Sequence, residues 1–320
     1  MKSLAPLEGD TVAKHDEAAG RRDFLKAASG AAMALAAGKE AQGRASLKGL
    51  AASAKGQNAA AQGEAPRGRG RTDPDDRPAD RGLWITWCDL PDQGREEYFS
   101  WLHGNYLPAL LKRPGYLWAA HYAAHDVEDA GSSRFHHVDD PKVGMGYHYI
   151  LIIAARDAHV FGNPVPSTIH AALLEEGKKM LALRVGERLN IMTEDGRCEG
   201  RAGNAYREGL TGTPCIQLGS FNCPVENEEE MLAGYVQLRL PAMCESASCV
   251  RVRRLSSVVG WAKHGILYEF ASLEGFNRDY ESAIAKSPLG LGGHSVVPVL
   301  IHAPNGPNSA LRIWPPLPKA

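Results

Sequence analysis

The stretch GLWITWCDLPDQGREEYFSWLHGNYLPALLKRPGYLWAAHY, residues 82–122, returns in altered form as CIQLGSFNCPVENEEEMLAGYVQLRLPAMCESASCVRVRRL, residues 215–255. Laid over each other without a gap, the 41 positions share six identities: Pro91 with Pro224, Glu96-Glu97 with Glu229-Glu230, and Leu107-Pro108-Ala109 with Leu240-Pro241-Ala242. Six matches are few. The unbroken spacing says more, because it keeps the same strand and helix lengths in both copies.

Within the first copy, Leu83, Ile85 and Trp87 alternate with Trp84 and Thr86, which is the period of a strand. Glu96 and Glu97 follow where the dipole of a starting helix favours negative charge. Tyr98, Trp101, Leu102 and Asn105 mark one helical stripe, and Pro108, lacking an N–H, is expected to close that helix. Pro114-Gly115 turns into a strand over 116–124; a long apolar strand over 145–155, a helix over 167–183 and a strand over 185–193 complete the half. The second copy predicts strand 215–223, helix 227–240, strands 249–255 and 265–271, helix 275–285 and strand 296–302. Each half is then β-α-β-β-α-β, the ferredoxin-like order. The expected fold class is α+β, with repeat 1 over 82–195, a connecting loop over 196–214, repeat 2 over 215–302 and a C-terminal tail over 303–320.

Only one of the 23 aromatic residues, Phe24, lies in the first 81 positions, so a packed core begins near Gly82. Gly20-Arg21-Arg22-Asp23-Phe24-Leu25-Lys26 precedes an alanine-rich run and resembles a twin-arginine export signal, expected over 1–45. The resemblance implies the export machinery as a partner and a periplasmic or secreted location. Family signals usually carry Ser or Thr where Gly20 stands. The run is too short for a permanent membrane span. Residues 46–81 are expected to form a solvated linker in which Asp73, Asp75, Asp76 and Asp80 cancel the basic run at 67–71. A net charge of −1 gives no electrostatic case for nucleic acid. The six cysteines form no Cys-x-x-Cys pair, and no nucleotide loop or nucleophile elbow occurs. His136-His137-Val138-Asp139-Asp140 lacks the helical spacing that aims two histidines at one ion, so no metal site is expected.

The run from Trp101 to Tyr106-Leu107-Pro108, followed by Leu111-Lys112-Arg113-Pro114-Gly115-Tyr116-Leu117, resembles the dimeric α+β-barrel superfamily in its EthD-like and monooxygenase-like branches. The likeness covers most of residues 82–302. Members usually dimerise so that two four-stranded sheets close one barrel. The resemblance therefore implies an intrachain α+β barrel built from two tandem ferredoxin-like (βαββαβ) repeats, in a monomer or homodimer. Relatives commonly carry His before Leu-Pro; here Tyr106 and Arg239 hold that position. Tyr106 suits a hydrogen-bond donor or weak acid and Arg239 a carboxylate partner. Both equally suit plain helix ends.

Leu117/Ala119 and Val250/Val252 fit the helix-covered face of the sheets, which turns Trp118, Tyr122, Arg251 and Arg253 toward the enclosed side. Arginines beside aromatic rings suit an aromatic acid, while a charged strand edge is the competing reading. His148, His264 and Glu269 on apolar strands are candidate proton carriers, or core groups with satisfied partners. The expected ligand set is Trp118, Tyr122, Arg239, Arg251, Arg253 and His264, with Tyr106, His148 and Glu269 as catalytic candidates. The resemblance implies cofactor-independent isomerisation, cyclisation or oxygenation of an aromatic or acidic compound. A periplasmic binding or accessory protein without turnover is the alternative. A haem protein akin to dye-decolorising peroxidases is the third, with their Gly-x-x-Asp-Gly reduced to Glu194-Asp195-Gly196.

Overall fold

The computed structural model describes residues 80–125, 135–206, 212–287, 289 and 295–317. The expected export signal and most of the expected linker lie outside the described residues. Ten strands are present: β1 (Gly82–Asp89), β2 (Tyr116–Ala124), β3 (His136–His137), β4 (Tyr149–Ala155), β5 (Val185–Glu199), β6 (Cys215–Asn222), β7 (Cys249–Val259), β8 (His264–Phe270), β9 (Ile301–His302) and β10 (Asn308–Trp314). Eight of them close a ring in the order β10-β2-β4-β1-β5-β7-β8-β6, with β6 pairing back onto β10. The four strands of repeat 1 run β2-β4-β1-β5 and those of repeat 2 run β7-β8-β6-β10, the ferredoxin-like order in each. The chain is an α+β barrel closed within itself.

The two halves match in the lengths of their first strand and of the helix that follows. β1 and β6 both span eight residues, and the helical segments Arg95–Trp101 and Glu228–Gly234 both span seven. Each is followed by a five-residue π-helical turn, Leu102–Tyr106 and Tyr235–Arg239, and then by Leu107–Leu111 or Leu240–Cys244. Pro108 and Pro241 therefore do not end the helix, as the sequence suggested. The wide turn comes first, and each proline sits in the opening turn of the next α segment, where a missing N–H costs nothing.

The largest correction concerns the closing strand. Residues 296–302 give only a short 3₁₀ turn and β9, and the barrel is closed by β10, inside the expected tail. Alternation explains it: Asn308, Ala310 and Arg312 take the inward phase between β6 and β2, whereas Pro298 interrupts 296–302. The helix expected over 167–183 is two segments, Pro166–Ala171 and Glu175–Leu181, and the strand expected from 145 begins at Tyr149.

Three cores result. One lies inside the barrel, around Leu83, Ile85, Trp87, Ile150, Ile152, Ile216 and Leu267; the other two lie between each half-sheet and its helices. The barrel interior is not wholly apolar. Asp80, expected to be solvated, is fully buried there. Arg197 Nη2 donates to its Oδ1 at 2.6 Å, Trp118 Nε1 to its Oδ2 at 3.1 Å, and Arg253 binds both its carboxylate and its carbonyl. Glu194 accepts from Arg253 Nε at 2.7 Å and from Arg197 Nη2 at 2.8 Å. Burial alone would raise the Asp80 pKa, but Arg253 and Arg197 outweigh it and hold the carboxyl below its ordinary value.

We predict that Asp80→Ala, which leaves two buried guanidinium groups short of an acceptor, costs about 3 kcal/mol of stability at pH 7. Because the folded pKa is depressed, this contribution is present above the unfolded value and disappears as the pH falls below about 4. Urea midpoints of both proteins across that range test it; midpoints that differ equally at pH 7 and pH 3 would contradict the assignment.

Candidate functional site

Trp118, Tyr122, Arg251, Arg253 and Glu269 all lie buried on the inner side of the barrel, and none of the three charges among them is free. Arg251 Nε lies 3.3 Å from Glu269 Oε2, and Arg253 is held by Asp80 and Glu194. Three guanidinium groups (Arg197, Arg251, Arg253) thus meet three carboxyls (Asp80, Glu194, Glu269). Burial raises the Glu269 pKa against the opposing pull of Arg251 and Arg253. The interior where the sequence suggested a ligand is occupied by a neutral ionic core.

His148 and His264 lie at strand starts, away from this core. His148 Nδ1 is 2.8 Å from Asp89 Oδ1, which also accepts from the backbone N–H of Tyr147 and His148. His264 Nε2 lies 3.3 Å from Glu228 Oε1, a carboxylate shared with Lys263. Tyr106, at the end of the first π turn, is 2.8 Å from His170 Nε2 and stacks on Trp101 with ring centroids 5.0 Å apart. Burial pushes its phenol above the ordinary range. These contacts fill the helix layer of repeat 1.

Among the described residues the corresponding layer of repeat 2 is not filled. A cavity of ≈ 240 Å³ lies between β6 and β8 on one side and the helices on the other. The position matching Trp101 is Gly234, which removes an indole from this layer. Arg239, the counterpart of Tyr106, lines the cavity. Its Nε donates to Ser287 O at 2.8 Å, and although burial opposes its charge, Tyr268 and Tyr235 beside it raise its pKa. Tyr235, Tyr268, Tyr280 and Phe221 supply rings. Two lining groups carry buried atoms without a partner among the described residues: Gln217 Oε1 and His302 Nδ1. Burial, with His137 adding to it, lowers the His302 pKa to about 4, so the imidazole is neutral near pH 7.

Of the sequence candidates, this cavity contains Arg239 alone. Gln217 and His302 were missed, although Gln217 is a polar residue on the helix-facing phase of an apolar strand. A further unforeseen pair is His103 and His121, ring nitrogens 2.9 Å apart, with His103 stacked against Phe99 and Trp314. Cys88, Cys223, Cys244 and Cys249 are free thiols. Among the described residues there is no group of three or more potential metal ligands, and no helix is long and apolar enough to cross a membrane. The volume of this cavity suits one substituted ring, and the one histidine of its described lining lies beside Phe135 and Phe221.

No protein-family model matches the sequence, and no curated protein matches it either. Among solved structures it is similar to an anthrone oxidase-like protein at 8% identity and a TM-score of 0.44, covering 74% of this chain and 92% of that one. A dye-decolorizing protein from V. cholerae aligns at 10% identity and a TM-score of 0.42, covering 73% and 94%. A chlorite dismutase variant from Candidatus Nitrospira defluvii aligns at 8% and 0.38, covering 72% and 91%. At such values these likenesses add nothing to what the strand order already shows.

A buried neutral histidine makes a pH prediction. Its folded pKa is depressed, so the associated stability is full above the unfolded value near 6.5 and is lost as the pH falls toward 4. His302→Gln is expected to reduce that acid loss by about 2 kcal/mol at pH 4.5, with His103 and His121 supplying a remainder. Denaturation midpoints at pH 7 and 4.5 measure it; an unchanged difference between the two would contradict the burial of a neutral ring.

Proposed function

We propose that this chain binds a small hydroxylated aromatic acid in the cavity of repeat 2. The observation that carries the reading is the pairing, in one ring-lined space, of a buried guanidinium with two buried polar atoms, Gln217 Oε1 and His302 Nδ1, that have no partner among the described residues. An anionic group would meet Arg239, hydroxyl hydrogens would meet Gln217 Oε1 and His302 Nδ1, and the ring would lie against Tyr235 and Tyr268. A cavity of roughly 150 Å³ is enough for benzene, so ≈ 240 Å³ admits one substituted ring.

In the catalytic form of the proposal, neutral His302 takes the proton of a bound phenol or enol while Arg239 holds the ligand by its anionic group. That is the first step of a cofactor-independent isomerisation, cyclisation or oxygenation, the activities suggested by the resemblance of Trp101–Pro108 to the EthD-like and monooxygenase-like barrels. We further propose a duplicated origin for the two repeats and export through the twin-arginine signal at 20–26, which would place the protein in the periplasm or outside the cell. A pure binding protein has the same cavity without the proton transfer.

Calorimetric titration with 4-hydroxybenzoate is expected to be saturable, and Arg239→Met to weaken it by about 10- to 100-fold, the value of a charged hydrogen bond. Mass spectrometry after incubating hydroxyaromatic acids in air separates the two forms. Turnover lost in His302→Gln with binding retained supports the enzyme, and binding without turnover in the natural chain leaves the binder. No binding at all sinks both.

A further inference from the structure

One end of the barrel carries a second cavity, of ≈ 230 Å³, lined by Lys142, Val143, Glu187, Arg188, Asn190 and Trp261 among others. Arg188 opens β5 on the inward phase and is 8% exposed. Its Nη1 donates to Gly144 O at 3.2 Å and to Gly146 O, which clamps the 144–146 backbone onto the barrel rim. The rest of the guanidinium is uncommitted. Among the described residues Nε and Nη2 are both buried without a partner, and so is Nε1 of Trp87, whose ring centroid lies 4.8 Å from the guanidinium carbon.

We propose that this pocket binds a small carboxylate, held side-on by Arg188. Nε–H and Nη2–H are the parallel donors of the guanidinium edge, and their spacing matches the two oxygens of a carboxylate. The two guanidinium donors, with no acceptor among the described residues, ask for an acceptor-only ligand, which a carboxylate is and a hydroxyl or amide is not. The charge is also without an ion-pair partner, unlike Arg197, Arg251 and Arg253. Two carboxylates stand nearby, but Asp89 accepts three hydrogen bonds from Tyr147 and His148, and Glu187 takes Arg184 Nη1 at 2.7 Å. Burial lowers the Arg188 pKa to about 9 against the opposing fields of Asp89 and Cys88, the mark of a cation lacking a close counter-charge. At the rim, exposed Lys142 adds positive potential, and Val143 and Trp261 offer a short apolar wall. The pocket is separate from the repeat 2 cavity, with which it shares no described lining residue.

Acetate is the probe, since it presents the carboxylate and has no ring for the other cavity. At constant ionic strength set with chloride, acetate is expected to shift the Arg188 Nε–H resonance saturably in nitrogen-edited NMR and to alter tryptophan fluorescence. Arg188→Lys keeps the charge and a donor for the 144–146 carbonyls but loses the fork, so at least tenfold weaker binding is expected. Lys142→Glu, an exposed change that does not depend on refolding the rim, should weaken it several-fold. Arg239→Met should leave it unchanged, which keeps this site distinguishable from the one proposed above. The proposal is overturned if acetate produces no saturable shift beyond that of chloride, if Arg188→Lys binds as well as the natural chain, or if Arg239→Met abolishes the response.

Discussion

Everything in this barrel depends on how six ionisable groups are held in a space that excludes water. A buried guanidinium costs several kcal/mol unless its charge and most of its hydrogens are met. Arg253 is wholly buried, and it is met by Glu194 from the last strand of repeat 1 and by Asp80 from the segment before the first. The constraint runs across the repeats. Arg253 of β7 has its carboxylates in Asp80 and in Glu194 of β5, whereas Arg251 pairs with Glu269 within repeat 2. β10 adds the backbone counterpart by joining β6 of one half to β2 of the other.

That division leaves the two helix layers free to differ. With the barrel interior committed to structure, the remaining freedom lies between sheet and helix. In repeat 1 this layer is closed by Trp101, Tyr106 and His170. In repeat 2 a glycine replaces the tryptophan and an arginine the tyrosine, and a cavity with two buried polar atoms that have no partner among the described residues stands in their place. Like folds, packed differently, give one half bulk and the other chemistry.

Much of the architecture was legible because its signals are local. The alternation of Leu83 to Trp87, the acidic helix starts and the constant offset gave the strand and helix order, and the two-residue period correctly turned Trp118, Tyr122, Arg251 and Arg253 inward. The fourth strand of repeat 2 was not legible: β10 is a short strand with mixed polarity, and what selects it over 296–302 is its pairing with strands far away in sequence. The site was harder still. Whether an inward arginine meets a ligand or a carboxylate depends on the carboxylate, and Asp80 sits in a stretch whose composition reads as linker. Gln217 and His302 show their meaning only once the volume beside them is known.

The paired π turns have a consequence of their own. A helix with a wide turn holds one residue more than its rise requires, so the side chain after the turn is aimed independently of the stripe before it. Tyr98 and Trp101 are tied to the core by α-helical periodicity; Tyr106 and Arg239 are released from it. Such a position can pass from phenol to guanidinium while the helix on either side keeps its packing. The surplus residue thus makes this spot on the scaffold free to vary in chemistry, and the two halves of the chain have used that freedom in opposite ways.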